Sequence, residues 1–246
     1  MRILFLSLLF VSISSANPET IQFESQDGLL ITADYYLQAE NAPLIILFHQ
    51  AGWSRGEYKE IAPKLNEMGF NCLAIDQRSG NEVNEVINET NQRAKEAGKN
   101  TEYIDAFQDM QAALDYATTN LKPNKLFIWG SSYSAALSFV LTATNQNKIT
   151  AMLAFAPGEY FKKAGKPSDY ISTHAALVKV PVFITSAKDE HKNWKAIYKA
   201  LPSKDKANFL PKTDGQHGSR ALWEKFPEHK DYWAAVTKFL KAVKYK

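Results

Sequence analysis

One cysteine, Cys72, stands in 246 residues, so no disulfide can form within the chain and no lipid-modified cysteine can follow an N-terminal cleavage site. Cys72 lies inside an apolar run, which fits a small buried hydrophobe better than a reactive thiol. No block of like charge occurs. The 29 basic and 26 acidic residues are scattered and leave a formal net charge of +3, which gives no groove for nucleic acid. Past residue 16 no apolar run approaches the ~20 residues of a membrane-spanning helix. Internal repeats, low-complexity tracts and domain linkers are missing. Asp189 with His191 supplies only two ligands, too few for a metal, and nothing calls for a cofactor.

What remains is a chain with 45% hydrophobic and 22% charged residues, enough to bury a large core as one α/β domain over residues 17–246. Residues 1–16 carry a basic start at Arg2, an apolar stretch from Ile3 to Val11, and small residues at Ser14 and Ala16. This pattern predicts a signal peptide cleaved near Ala16 and export to a periplasm or the outside, with a retained anchor as the alternative.

The mature chain opens with strand-like runs at Ile21–Phe23 and Leu29–Leu37 around the turn signal Gln26-Asp27-Gly28, which predicts an antiparallel hairpin. From Pro43 the pattern changes to short, continuous apolar runs between helical stretches, as parallel strands buried on both faces require. The runs are Leu44–Phe48, Phe70–Ile75, Leu126–Trp129, Ile149–Phe155, Val180–Thr185 and Ala207–Leu210. Between them, Tyr103, Phe107, Met110, Leu114 and Ala117 recur at helical spacing and predict a helix over 103–119 capped by Thr101. The expected fold is a doubly wound, mostly parallel sheet without a large lid, with chemistry on loops at the carboxyl ends of the strands. The polar stretch 78–102 is either a pocket rim or a surface excursion. Asn88-Glu89-Thr90 matches a glycosylation sequon, a motif too short to carry an assignment.

Leu126-Phe127-Ile128-Trp129 runs directly into Gly130-Ser131-Ser132-Tyr133-Ser134, and an apolar helical stretch follows from Ala135 to Leu141. A serine in such a strand–turn–helix is lifted to the sheet edge, and its flanks must be small because two backbones converge there. The segment resembles the GxSxG nucleophile elbow of α/β hydrolases, with Ser134 in place of the second glycine. Ser132 is then the nucleophile, in preference to Ser131 by spacing; a helix-capping serine is the structural alternative.

The resemblance implies a triad in the chain order serine, acid, histidine. A serine hydroxyl needs a base that titrates near neutrality, and histidine is the natural one. Of five histidines, His217 lies in Asp214-Gly215-Gln216-His217-Gly218-Ser219, after the last strand-like run, where superfamily members carry the catalytic histidine. Asp189, at the end of the Val182–Ala187 run, takes the acid's place, with Glu190 its nearest competitor and helix capping its bland alternative. The fold's oxyanion hole would use the amides of Tyr133 and of Ala51, the latter in the HGxxG-like loop His49-Gln50-Ala51-Gly52-Trp53. Dienelactone-hydrolase-like members are the closest in pattern, and Asp76-Gln77-Arg78-Ser79-Gly80 resembles their loop after the next strand. Trp53, Tyr160 and Phe161 are candidates to line a substrate site.

Together these imply a serine hydrolase acting on small esters or lactones through an acyl-enzyme. The same triad would serve a peptidase or acyltransferase, and a binding protein could keep the fold without turnover.

Overall fold

A strand with apolar side chains on both faces needs a helical layer on each side, and five strands of this chain are buried at every position. The computed structural model describes residues 17–244; the expected signal segment 1–16 lies outside the described residues. The strands are β1 (Glu19–Glu24), β2 (Leu30–Tyr36), β3 (Leu44–Phe48), β4 (Asn71–Ile75), the two-residue pair β5 (Glu82–Val83) and β6 (Val86–Ile87), β7 (Leu126–Ser131), β8 (Ala151–Phe155), β9 (Val182–Thr185) and β10 (Lys206–Phe209). Eight of them form one sheet in the order β1-β2-β4-β3-β7-β8-β9-β10. The β1–β2 and β2–β4 pairs are antiparallel, and every pair from β4 to β10 is parallel. Each strand-like run of the sequence found its place in this sheet, including the faintest, which became the edge strand β10.

The helices are α1 (Ile61–Glu67), α2 (Glu89–Glu96), α3 (Phe107–Tyr116), α4 (Tyr133–Thr144), α5 (Tyr170–Ala175), α6 (His191–Ala200) and α7 (His229–Lys244). Among the described residues no helix is long and apolar enough to cross a membrane. Strand β3 shows why two layers form. Leu44, Ile46 and Phe48 join Met110 and Ala113 of α3 and Leu137 of α4 on one face. Ile45 and Leu47 join Ile61 and Leu65 of α1 and Val236 and Leu240 of α7 on the other. Successive side chains point to opposite faces of a strand, and each buried aliphatic side chain contributes about 1.5–3 kcal/mol of transfer free energy.

Two local expectations change. The helix predicted over 103–119 is three pieces: a 3₁₀ turn Tyr103–Ala106, then α3, then a π-helical turn Ala117–Leu121. It starts at Glu102 rather than Thr101, because the Asp105 carboxylate turns back to accept the Glu102 N–H at 3.0 Å. The stretch 78–102 is also ordered, as β5, β6 and α2. Its Asn88 is 1% exposed and donates from Nδ2 to the carbonyls of Trp53 and Gln77 at 3.0 and 2.9 Å, so the sequon asparagine is closed to a glycan in the folded protein. Beneath it, Arg55 pairs with Asp34, Asp76 and Glu89 at 3.0, 2.6 and 3.1 Å, which locks the loop after β4.

Candidate active site

Strand β7 ends at Ser131, and the chain reverses at Ser132 with φ 61° and ψ −120° before α4 begins. This conformation is disfavoured for any residue with a Cβ and costs of the order of 1–3 kcal/mol, so the surroundings must hold it. They do so at three points. The Ser132 N–H donates to the Phe155 carbonyl of β8 at 2.7 Å. Gly130 lies so close to α4 that a Cβ there would fall 2.5 Å from the Ala135 Cα. Ser134, where a second glycine was expected, accepts the Ser131 N–H at 3.0 Å and lies 2.8 Å from the Phe48 carbonyl, tying the elbow to the end of β3. Ser132 itself is left half-buried at the carboxyl edge of the sheet.

His217 arrives on the loop after β10. Its position is set by Gly218, whose φ of 71° and close approach exclude a side chain: a Cβ would lie 2.6 Å from Ser131 Oγ and 2.5 Å from Gln50 Oε1. The next amide, Ser219 N–H, donates to Ser131 Oγ at 2.9 Å. The residues flanking His217 are thus docked on the residue before Ser132, which brings the histidine loop and the elbow together.

The acid differs from the sequence reading. Glu190, not Asp189, accepts a short hydrogen bond from Nδ1 of His217. Residues Lys188–Glu190 form a single 3₁₀ turn, in which successive side chains point about 120° apart. Asp189 therefore faces solvent while Glu190, 18% exposed at its side chain, turns inward. The Lys188 N–H donates to the Asp214 carbonyl at 2.8 Å and holds this turn beside the histidine loop. With Nδ1 engaged by Glu190, the imidazole's Nε2 is the nitrogen that can accept a proton.

The loop after β3 is fixed by buried polar contacts. His49 donates from Nδ1 to the Gln50 carbonyl at 2.8 Å and accepts the Gln77 N–H on Nε2 at 3.0 Å. Burial pushes its imidazole down to about 4, so it is a neutral structural residue. The Gln50 N–H is occupied by Glu57 Oε2 at 2.7 Å. Among the described residues no hydrogen bond engages the next amide, Ala51 N–H. Tyr133 is the first residue of α4, where a backbone N–H has no partner in its own helix. Sequence reasoning missed Glu57, which is fully buried and also accepts the Ser131 hydroxyl at 2.6 Å. Its 74-residue separation from Ser131 hides the contact from any local pattern.

The three aromatic candidates part company. Tyr160 and Phe161 line a cleft of about 510 Å³ with Tyr103, Ile104 and Lys163. Tyr160 is anchored by its hydroxyl on the Ala156 carbonyl at 2.7 Å, and Phe161 is largely core, 2% exposed. Tyr103 stacks on Tyr133, the residue after Ser132, with ring centroids 4.8 Å apart. Trp53 does not line it; its ring stacks on Trp223 at 5.2 Å with the Arg220 guanidinium on it.

Comparison with known proteins agrees with this fold. A family model described as serine aminopeptidase, S33 (Hydrolase_4), matches residues 39–165. No match is found among curated proteins. Similar solved structures include an esterase of Pyrococcus furiosus, with TM-score 0.71, 17% identity and 92% of each chain covered. A dienelactone hydrolase of Anabaena variabilis has TM-score 0.70 and 14% identity over 93% of this chain and 99% of that one. Est1E of Butyrivibrio proteoclasticus, solved with ferulic acid bound, has TM-score 0.70 and 15% identity over 92% of this chain and all of that one, 100%. At these identities the solved structures speak for the fold alone. With the family model matched from before β3 to beyond β8, elbow included, the chain belongs to the serine aminopeptidase S33 family of α/β hydrolases.

Proposed function

We propose that the chain is a serine hydrolase that cleaves small carboxylic esters or lactones through an acyl-enzyme on Ser132. The observation that carries this reading is the docking of the loop that bears the His217–Glu190 pair, through Ser219 N–H on Ser131 Oγ, against the elbow that holds Ser132 in a strained turn. His217 Nε2 takes the Ser132 proton as Oγ bonds to the substrate carbonyl carbon. The amides of Tyr133 and Ala51 receive the oxyanion. Collapse breaks the ester C–O bond, the alcohol leaves with the proton from His217, and water then attacks the acyl-enzyme by the reverse proton path and releases the acid. Glu190 holds the imidazole's orientation and stabilises its cation. No large lid encloses the site among the described residues, which favours small, unhindered esters.

Peptide cleavage is the second reading, favoured by the description of the matching family model. Parallel assays of p-nitrophenyl esters and aminoacyl anilides separate the two. The test of the reading itself is labelling with a fluorophosphonate, which wild type should take up and Ser132→Ala should not. Labelling that survives the substitution removes Ser132 from its role; a wild-type protein that never labels points to a binding protein on the same fold.

A further inference from the structure

We propose that Glu57 is a positioning residue of this reaction, its carboxylate holding the loop after β3, the elbow and the histidine loop in one geometry and its negative charge supporting the imidazolium formed on His217. The proposal rests on the serine-hydrolase reading above. Glu57 lies on the 3₁₀ turn Arg55–Tyr58 between β3 and α1 and is 0% exposed. Oε2 accepts the Gln50 N–H at 2.7 Å, one residue before Ala51. Oε1 accepts the Ser131 hydroxyl at 2.6 Å, one residue before Ser132. Through Ser131 Oγ, which accepts the Ser219 N–H at 2.9 Å, the tie extends to two residues beyond His217. Glu57 is itself pinned, its N–H on the Ser54 carbonyl at 3.0 Å and its carbonyl accepting Trp223 Nε1 at 3.0 Å. One side chain thus spans all three loops that must agree for the chemistry to occur.

Its surroundings argue against a purely structural purpose. The other deeply buried carboxylates, Asp76 and Asp109, each face an arginine, at 2.6 and 2.7 Å. Glu57 has neutral donors only, and Arg55 on its own turn is committed to Asp34, Asp76 and Glu89. A buried anion without a paired cation is costly. The base close enough for its charge to act on Glu57 is His217, which becomes a cation as the reaction proceeds. The other titratable groups facing it are the phenols of Tyr58 and, from α4, Tyr133, both held neutral by burial. Burial also pushes the Glu57 carboxyl up to about 7. The anion is therefore gained as pH rises through neutrality.

The test compares wild type, Glu57→Gln and Ser131→Ala by the pH dependence of p-nitrophenyl acetate hydrolysis. Glu57→Gln keeps the shape, loses the charge and turns one of the two accepting oxygens into a donor. It should lower kcat roughly 10–100-fold, less than the ~10²–10³ lost with an oxyanion donor itself, with KM changed less than about threefold. The acid limb of the rate profile should fall from a two-proton to a one-proton slope. Ser131→Ala removes the tie but not the charge; it should lower kcat while keeping the two-proton slope. Stability supplies a readout of opposite sign. The raised carboxyls of Glu57, Asp76 and Asp109 make wild type lose stability as pH climbs from about 4 to about 7, and Glu57→Gln should remove the part of that decline between about 6 and about 7. Glu57→Gln with wild-type kcat and slope overturns the proposal. If Glu57→Gln does not fold, unchanged kcat in Ser131→Ala overturns it instead. Failure of the serine-hydrolase reading is distinguishable, because wild type would then not take up fluorophosphonate.

Discussion

Glu190→Gln set against Asp189→Asn is the sharpest perturbation, because adjacent acids are predicted to behave oppositely. The His217 Nδ1–H points at Glu190 Oε1, while Asp189 is exposed and joined to His217 by no hydrogen bond. In Glu190→Gln the amide can turn its NH₂ toward Nδ1, which drives the ring proton to Nε2 and leaves no acceptor for the serine. Even with the carbonyl oxygen retained, the carboxylate that offsets the imidazolium charge is gone. Loss of the triad acid costs about 10⁴ in kcat, which at 1.36 kcal/mol per tenfold is about 5.5 kcal/mol of transition-state stabilisation. Asp189→Asn removes only a solvated charge near the site, and its effect should stay within about threefold, under ~1 kcal/mol. Steady-state hydrolysis of p-nitrophenyl acetate measures both, with thermal melting to establish that each variant is folded. Near wild-type activity in Glu190→Gln, or a loss of a hundredfold or more in Asp189→Asn, would refute the assignment.

Two predictions concern the scaffold. Gly130→Ala places a methyl group 2.5 Å from the Ala135 backbone; overpacking of this kind costs about 1–3 kcal/mol, so Tm should fall by roughly 3–10 °C and activity should drop as the elbow shifts, and an unchanged Tm would contradict the close approach. Cys72 is buried and its thiol is pushed up by burial, so Ellman's reagent should react with it only as fast as the protein unfolds. Stoichiometric labelling of the native protein within minutes would disprove that burial.

Much of the fold was legible because its signals are local. Uninterrupted apolar runs such as Leu44–Phe48 can only be strands covered on both faces, and their alternation with helices implies the parallel sheet. The elbow was legible for the same reason, since strand, small residue, serine and helix are consecutive. The acid was not. Asp189 and Glu190 are neighbours of the same charge, and what separates them is the rotation of about 120° per residue in one 3₁₀ turn. Trp53 and Phe161 read as pocket residues by their place after strands; the fold adds that Trp53 stacks on Trp223 and that Phe161 both lines the cleft beside Tyr160 and packs into the core.

The amino-acid order alone therefore determined the layers, the strand sequence and the residue at the sharp turn, because hydrophobic period and backbone sterics act over a few residues. Which carboxylate meets His217, and that a second one, Glu57, lies beneath Ser131, were decided only by tertiary packing. Hydrogen bonds between residues tens of positions apart depend on how loops from β3, β7, β9 and β10 converge at one edge of the sheet, and no short-range pattern encodes that convergence.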